Sequence, residues 1–293
     1  MTRIEKFGWR GVPEPGIGRV VSAHGDYYHL VCNETGGEII ARKKKSAFAK
    51  RIETVREKGG VRKVGRGEIG REALKPITGD FVRFRYNRQG ESMIAGVLPR
   101  FSHFERKDPT ARRKSQTLAV NFDTLFIMMS LNEDFSTARI DRYLALAEDM
   151  GEAEAVVVLT KMDLKEEGDE EFIDELVGTI GGRAKLLKIS AHTGEGMDEV
   201  AEYVREGRTL AFIGSSGVGK STLLNTLAGE EWQATREIQE WSGKGRHTTT
   251  SRELVMLPCG AMVVDTPGIR EIGMVGEVDD MHMKVESSHR YRK

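Results

Sequence analysis

The sequence predicts two folded parts of different class: an all-β barrel over residues 1–100 and an α/β domain with a mostly parallel sheet over residues 121–276. In the first part, short β-prone runs alternate with turn signals. In the second, continuous apolar runs of strand length alternate with helical patterns, as expected for a sheet covered on both faces. With 293 residues, the chain is long enough for each part to bury its own core.

Five β-prone runs fill the first part, with turn signals such as His24-Gly25-Asp26 between them. The runs are residues 17–21, 27–32, 38–41, 80–84 and 93–97. Five short strands within one small domain suit a barrel of the oligonucleotide-binding type.

A basic insert, residues 42–75, separates the third and fourth predicted strands and carries 13 Lys and Arg against 4 Asp and Glu. It begins Arg42-Lys43-Lys44-Lys45 and contains the glycine-rich run Val64-Gly65-Arg66-Gly67. We expect an insert of this length and charge to be mobile when free and to grip nucleic acid. A solvated loop without a partner is the alternative.

The net charge is zero, but positive and negative residues are unevenly distributed between the two halves of the chain. Residues 1–115 carry 26 Lys and Arg against 13 Asp and Glu, whereas residues 116–293 carry 19 against 32. A positive half of this size attracts phosphate backbones whatever their sequence, so we expect it to meet RNA. The alternative is that these basic residues form a solvated surface without an RNA partner.

In the second part, a change of hydrophobic period marks the start of the α/β domain. Residues 101–120, which include Arg106-Lys107 and Arg112-Arg113-Lys114, are predicted to be a linker, and residues 277–293 a C-terminal tail. A helical pattern runs from Thr137 to Met150. The predicted buried strands are residues 124–129, 155–159, 186–189, 210–213 and 261–264. A ligand of such a domain binds beyond the carboxyl ends of its strands.

Two cysteines, Cys32 and Cys259, fit no metal or disulfide spacing and suggest a reduced, cytoplasmic compartment. The N-terminus lacks an apolar signal core, and no apolar run has membrane-spanning length. We therefore expect no membrane contact, and we expect a monomer.

A phosphate-binding loop of the pattern G-x-x-x-x-G-K-[ST] follows the predicted strand at 210–213. Its glycines let backbone N–H groups converge on phosphate oxygens, and the helix that follows adds its positive dipole. Lys220 is predicted to reach the β- and γ-phosphates, and the Ser221 hydroxyl to bind Mg²⁺. The predicted contacts of this loop are Gly214, Ser215, Ser216, Gly217, Val218, Gly219, Lys220, Ser221 and Thr222.

A second signature, Asp265-Thr266-Pro267-Gly268, follows the predicted strand at 261–264. A carboxylate after that strand suits a Mg²⁺ contact in a P-loop enzyme, so Asp265 is predicted to help hold the metal. The backbone N–H of Gly268 is predicted to bind the γ-phosphate.

The guanine-reading signature is Thr160-Lys161-Met162-Asp163, and it precedes the phosphate loop in the chain. The carboxylate of Asp163 can accept two hydrogen bonds from the N1–H and N2–H₂ edge of guanine, which adenine cannot donate. Lys161 is predicted to pack over the base, and Ser190-Ala191 to offer backbone N–H to the base carbonyl. Because ordinary G proteins have these motifs after the phosphate loop, the order indicates a circular permutation.

These motifs in this order, behind a barrel, resemble the ribosome-small-subunit-dependent GTPase A (RsgA) family over residues 17–276. The more specific points are Pro76-Ile77-Thr78-Gly79-Asp80, Gly245-Arg246-His247-Thr248-Thr249-Thr250, and the run from Asp265 to Arg270. The resemblance implies a GTPase, stimulated by the small ribosomal subunit, whose barrel contacts ribosomal RNA during late maturation.

The resemblance also implies roles in the two switch segments. One threonine of residues 248–250, with Thr249 favoured, completes the Mg²⁺ shell, and His247 positions water unless it is a plain loop histidine. Ile269 occupies the position where many GTPases have a water-orienting glutamine, so intrinsic hydrolysis is expected to be slow.

The sequence departs from the family after Gly268, where relatives carry a Cys/His zinc module. His282 and His289 without cysteines do not form a structural zinc site, so zinc is not expected, whether the chain is truncated or its branch lost the module. Two other functions remain open: an RNA-binding module with a regulatory, nearly inactive guanine site, and a P-loop ATPase or kinase.

Overall fold

The computed structural model describes residues 1–43, 55–57, 60–62, 74–106, 116–131, 135–229 and 253–265, and for 55–57, 60–62, 106 and 265 it describes the backbone alone. Among these residues no helix is both long enough and apolar enough to cross a bilayer.

Five strands close into the predicted barrel, which is confirmed. They are β1 (Ile17–His24), β2 (Tyr27–Cys32), β3 (Ile39–Lys43), β6 (Phe81–Arg85) and β7 (Ser92–Val97). The strand order is β1-β2-β3-β7-β6, and β6 pairs back with β1 to close the ring. β-branched and aromatic side chains on the inner faces of these strands fill the interior, with Leu30 and Val82 fully buried.

Part of the predicted basic insert forms a hairpin rather than a plain loop. Its strands, β4 (Val55–Glu57) and β5 (Gly60–Arg62), pair antiparallel; residues 44–54, 58–59 and 63–73 lie outside the described residues. The two ends of the insert are joined, because the Lys43 Nζ donates a hydrogen bond to the carbonyl oxygen of Leu74 at 2.7 Å.

The predicted linker at 101–120 is structured at both ends, which corrects the expectation of a plain connection. Strands β8 (His103–Arg106) and β9 (Gln116–Val120) pair antiparallel. Phe104 and Leu118 are buried in the core of the α/β domain. The basic residues between the two strands dominated the composition and concealed the short alternating pattern on either side.

The α/β domain has the predicted parallel sheet. Its strands are β10 (Thr124–Ser130), β11 (Glu154–Thr160), β12 (Lys185–Lys188), β13 (Thr209–Ile213), β14 (Glu253–Met256) and β15 (Met262–Asp265). The order is β12-β11-β10-β13-β15-β14; only β14 runs antiparallel to its neighbour within this part. Consequently the carboxyl ends of β10, β11, β13 and β15 lie at one edge.

Helices cover this sheet and define the two faces of the core. They are α2 (Thr137–Ala147), α3 (Asp169–Ile180), α4 (Met197–Ala201) and α5 (Lys220–Ala228), and a short α1 (Arg3–Lys6) precedes the barrel. The side chain of Ser136 caps α2 by accepting from the Arg139 N–H. Every residue of β10 is buried, as expected for a central strand covered on both sides.

Candidate nucleotide-binding site

The phosphate loop connects the carboxyl end of β13 to the first turn of α5, as the sequence predicts. Gly214 lies against β10: a Cβ atom there would come within 2.7 Å of the Met128 carbonyl oxygen. Gly217 and Gly219 have φ values of +76° and +98°, which glycine adopts without steric penalty. The backbone therefore takes a path that other residues would not follow.

The side chain of Lys220 folds back over this loop. Its Nζ donates to the carbonyl oxygens of Gly214 at 2.6 Å and Ser215 at 2.7 Å. Ser221 and Thr222 are exposed in the first turn of α5. A cation, a helix N-terminus and two hydroxyls thus share one surface, which favours an anionic ligand.

Thr160 connects the predicted guanine signature to the phosphate loop. This residue ends β11 and is buried, and its hydroxyl oxygen lies 2.7 Å from the Val218 carbonyl oxygen and 3.2 Å from that of Met129. Lys161 follows with a left-handed φ of +61°, which turns the chain away from the sheet edge. Met162 begins a 3₁₀ turn, and both Lys161 and Met162 are half-buried.

Asp163 is exposed in that turn and is held by Ser190. The Ser190 hydroxyl donates to the Asp163 Oδ1 at 2.5 Å, and this bond lowers the pKa of the carboxyl below its ordinary value. The Ser190 oxygen in turn accepts from the backbone N–H groups of His192 and Thr193. The carboxylate is therefore ionised and oriented near neutral pH.

Thr226 makes a second connection between the two halves of the site. Its hydroxyl, on α5, lies 3.5 Å from the carbonyl oxygen of Ala191. Together with the Thr160 contact, this places the loops that follow β11 and β12 beside the phosphate loop and its helix. The structure thus brings the two predicted ends of a nucleotide site together at one sheet edge.

The carboxyl end of β15 lies next to the strand that leads into the phosphate loop. Val264 pairs with Ala211 in parallel register, so position 265 follows beside β13. The side chain of Asp265, and the whole of His247, Thr249 and Gly268, lie outside the described residues. In the described part of the chain, no group of three or more His, Cys, Asp and Glu could hold a metal.

Two contributions to this site were not expected from the sequence. The hydroxyl of Ser190 holds Asp163, whereas only the backbone of Ser190 was expected to act. The hydroxyl of Thr160 contacts the phosphate loop across the sheet, although the sequence predicts this residue only as the first of the guanine-reading signature. A hydroxyl residue at or just beyond the end of a strand was the available signal, but its partner is 27 or 58 residues away.

Comparison with known proteins identifies relatives of this arrangement. A family model described as RsgA GTPase matches residues 97–275. The "Small ribosomal subunit biogenesis GTPase RsgA 2" of Lactiplantibacillus plantarum is 38% identical over 257 residues, which is 87% of this chain and 66% of that protein. The "Small ribosomal subunit biogenesis GTPase RsgA" of Leptospira interrogans is 36% identical over 261 residues, 89% of this chain and 65% of that protein. The chain thus spans just under two thirds of these relatives.

Two solved structures share the fold. The crystal structure of YjeQ from Thermotoga maritima has a TM-score of 0.58 and 30% identity, covering 86% of this chain and 74% of that one. The structure of YloQ, described as a circularly permuted GTPase, has a TM-score of 0.50 and 21% identity, covering 86% and 70%. The second likeness supports the fold alone, and the permuted arrangement that the motif order indicates is confirmed.

Proposed function

This chain belongs to the RsgA GTPase family, and from that premise we propose that it hydrolyses GTP to GDP and phosphate during maturation of the small ribosomal subunit. The names of the relatives supply the biological context. The observation that carries the chemistry is the contact of Thr160 with Val218, which joins the base-reading loop to the phosphate-binding loop, while Ser190 holds Asp163 on the base-reading side.

Guanine selection falls to Asp163. An ionised carboxylate accepts from both N–H groups of the guanine edge, whereas adenine leaves it unpaired and desolvated. The Ser190 hydroxyl donates a hydrogen bond that lowers the pKa of that carboxyl and limits its rotation. The half-buried stem of Lys161 packs on the base plane, and the loop at Ala191 closes the other side.

Mg²⁺ fits the donor set that the chain offers at the phosphate end. Oxygen ligands suit this ion, and the exposed Ser221 hydroxyl together with the Asp265 carboxylate and a threonine, Thr249, would hold it. When bound, the ion neutralises charge between the β- and γ-phosphates. Zinc has no part in this proposal.

Lys220 and the loop N–H groups stabilise charge on the phosphates. In place of the Gly214 and Ser215 carbonyls, the Lys220 ammonium contacts the β- and γ-phosphate oxygens of bound GTP. Gly268 offers its N–H to the γ-phosphate, and His247 orients the attacking water. Because Ile269 cannot hydrogen-bond water, hydrolysis by the isolated protein is slow and a partner completes the site.

That partner is the small ribosomal subunit, and this protein binds it through ribosomal RNA. The barrel half of the chain, residues 1–115, has twice as many basic as acidic residues, and the two ends of the basic insert, Lys43 and Leu74, are in contact on the barrel. We place the protein in the cytoplasm, because ribosome maturation in bacteria such as those of its relatives occurs there. We also propose that it acts as a monomer.

GTP turnover with and without purified small subunits tests this function. We expect a slow basal rate that rises at least about tenfold with subunits, and a preference for GTP over ATP in competition binding. Asp163→Asn should remove the GTP preference. RNA binding without turnover at any subunit concentration would instead support an RNA-binding module with a regulatory guanine site.

A further inference from the structure

Among the described residues, the barrel pairs with the nucleotide-binding sheet through one barrel strand, β1. Ser22 of β1 pairs with Glu253 of β14 in antiparallel register, so the barrel continues the sheet that carries the phosphate loop. β1 also pairs with β2 and β6 inside the closed barrel. A displacement of the barrel therefore acts on β14 directly.

Arg19, on the same strand, makes a second connection from the fully buried interior of the junction. Its Nη1 donates to the Phe7 carbonyl oxygen at 2.6 Å and to the Thr209 Oγ1 at 3.0 Å, and its Nη2 donates to the Asn121 carbonyl oxygen at 2.7 Å. Nη1 also lies 3.4 Å from the Met262 sulfur. No carboxylate is bonded to this guanidinium in the described residues; burial lowers its pKa to about 9.

The Thr209 and Met262 contacts and the Ser22–Glu253 pair fall on the three strands that lead to the phosphate end of the site, whereas Asn121 precedes β10. Thr209 begins β13, which ends at the phosphate loop, and Met262 begins β15, which ends at Asp265. Glu253 begins β14 and directly follows the chain segment 230–252, which contains His247 and Thr249.

A second arginine makes a separate connection across the same junction. Arg10, in the segment before the barrel, bonds to Asp123 at 2.7 Å and Glu152 at 2.6 Å, which precede β10 and β11. Asp123 also accepts a hydrogen bond from the Thr209 N–H at the start of β13. Unlike Arg10, the barrel strand β1 pairs directly with β14 and, through Arg19, contacts the first residues of β13 and β15.

We propose that Arg19 and the Ser22–Glu253 pair are positioning contacts through which RNA bound to the barrel accelerates GTP hydrolysis. Rigid paired strands transmit a displacement along their length, and these strands end where the attacking water, metal and γ-phosphate meet. This inference rests on the proposed function, and it names the route of stimulation, which the family membership does not supply.

Arg19→Lys tests the route in the full-length protein. Lysine keeps the charge and can bond one or two of the carbonyl oxygens, but it cannot span to Thr209 and Asn121 together. We expect basal turnover and GTP affinity within about twofold of wild type, and stimulation by small subunits reduced about tenfold. Lys6→Met is the matched control, because it breaks the exposed Lys6–Glu206 pair across the same junction and should leave stimulation unchanged.

Cross-linking separates positioning from simple loss of stability. Directly opposed residues of an antiparallel pair lie within disulfide range, so Ser22→Cys with Glu253→Cys can be oxidised in a Cys259→Ser background. In the Arg19→Lys protein, oxidation should restore stimulation to within about threefold of wild type, whereas reduction should remove it again. If Arg19→Lys does not fold, Thr209→Val removes one Arg19 partner with little change of volume and should lower stimulation about threefold.

Four results are possible, and each decides for or against the inference. Selective loss of stimulation with rescue by oxidation supports the inference. Equal stimulation of wild type and Arg19→Lys overturns it while leaving the proposed function intact, and an equal fall of basal and stimulated rates assigns Arg19 a purely structural role. A wild-type protein that small subunits do not stimulate removes the proposed function and the inference together.

Discussion

The hydroxyl oxygen of Thr160 lies 2.7 Å from the carbonyl oxygen of Val218, a residue 58 positions further along the chain. This contact joins the carboxyl end of β11 to the middle of the phosphate loop. The threonine hydroxyl thus links the two halves of the site and supplies a hydrogen-bond donor to the buried carbonyl of Val218.

Thr160→Val should weaken GTP binding and lower the free energy of unfolding by about 1–3 kcal/mol, because it leaves the buried Val218 carbonyl without its donor. Denaturant unfolding and calorimetric titration with GTP measure the two effects. Thr226→Val is the control, since that hydroxyl is exposed and its contact with Ala191 is long. Equal effects of the two variants would contradict the assignment.

Ser190→Ala should raise the pKa of the Asp163 carboxyl towards its ordinary value, because the hydroxyl that lowers it is gone. Guanine binding needs the ionised form, so the pH at which GTP affinity falls on acidification should move upward. A carboxyl-carbon NMR titration of Asp163 measures the pKa, and Ser190→Thr, which keeps a hydroxyl, should restore it. An unchanged titration in Ser190→Ala would show that the hydrogen bond has no such effect.

Arg100→Met should lower the free energy of unfolding at pH 7 by about 3–5 kcal/mol, because it leaves the buried Asp80 carboxylate unpaired. Burial already raises the pKa of Asp80, and Arg100 opposes that rise. In the variant the pKa rises further, so the deficit should shrink as the pH falls and Asp80 becomes protonated.

Denaturant unfolding at pH 7 and at about pH 4.5 checks the sign of this effect, since a neutral carboxyl carries no desolvation penalty for charge. Arg83→Met, which breaks an exposed pair with Glu14 on the same barrel, should change stability by less than about 1 kcal/mol. A deficit that grows on acidification would exclude the unpaired carboxylate as its cause.

Replacing residues 44–73 with a short Gly-Ser linker should weaken binding of ribosomal RNA without changing GTP affinity. The contact between Lys43 and Leu74 shows that the two ends are adjacent, so the barrel can close without the insert. If the insert contacts phosphates, each lost contact should reduce the slope of log affinity against log salt by roughly 0.7–0.9. Binding isotherms at several salt concentrations give that slope; an unchanged slope would assign the RNA contact to another surface.

Strand and helix positions in both parts followed from the sequence because their apolar periods are strong. The five barrel strands and β10, β11 and β13 agree with the expected runs within a few residues. The linker at 101–120 was misread because its alternating apolar positions, among them Phe104 and Leu118, flank a cluster of arginine and lysine. In residues 101–120 the high content of arginine and lysine favours a linker, and the alternating apolar positions are too few to predict strands.

What the sequence by itself determined was the inventory: a barrel, a permuted α/β domain and the residues near the strand ends that are predicted to bind a nucleotide. These are local features, carried by periodicity and by short motifs. Only the tertiary structure decided which of them meet, namely Ser190 with Asp163, Thr160 with Val218 and Arg19 with Thr209. Such contacts depend on strand order and on the junction of two domains, and no spacing along the chain encodes the distance between residues that folding brings together.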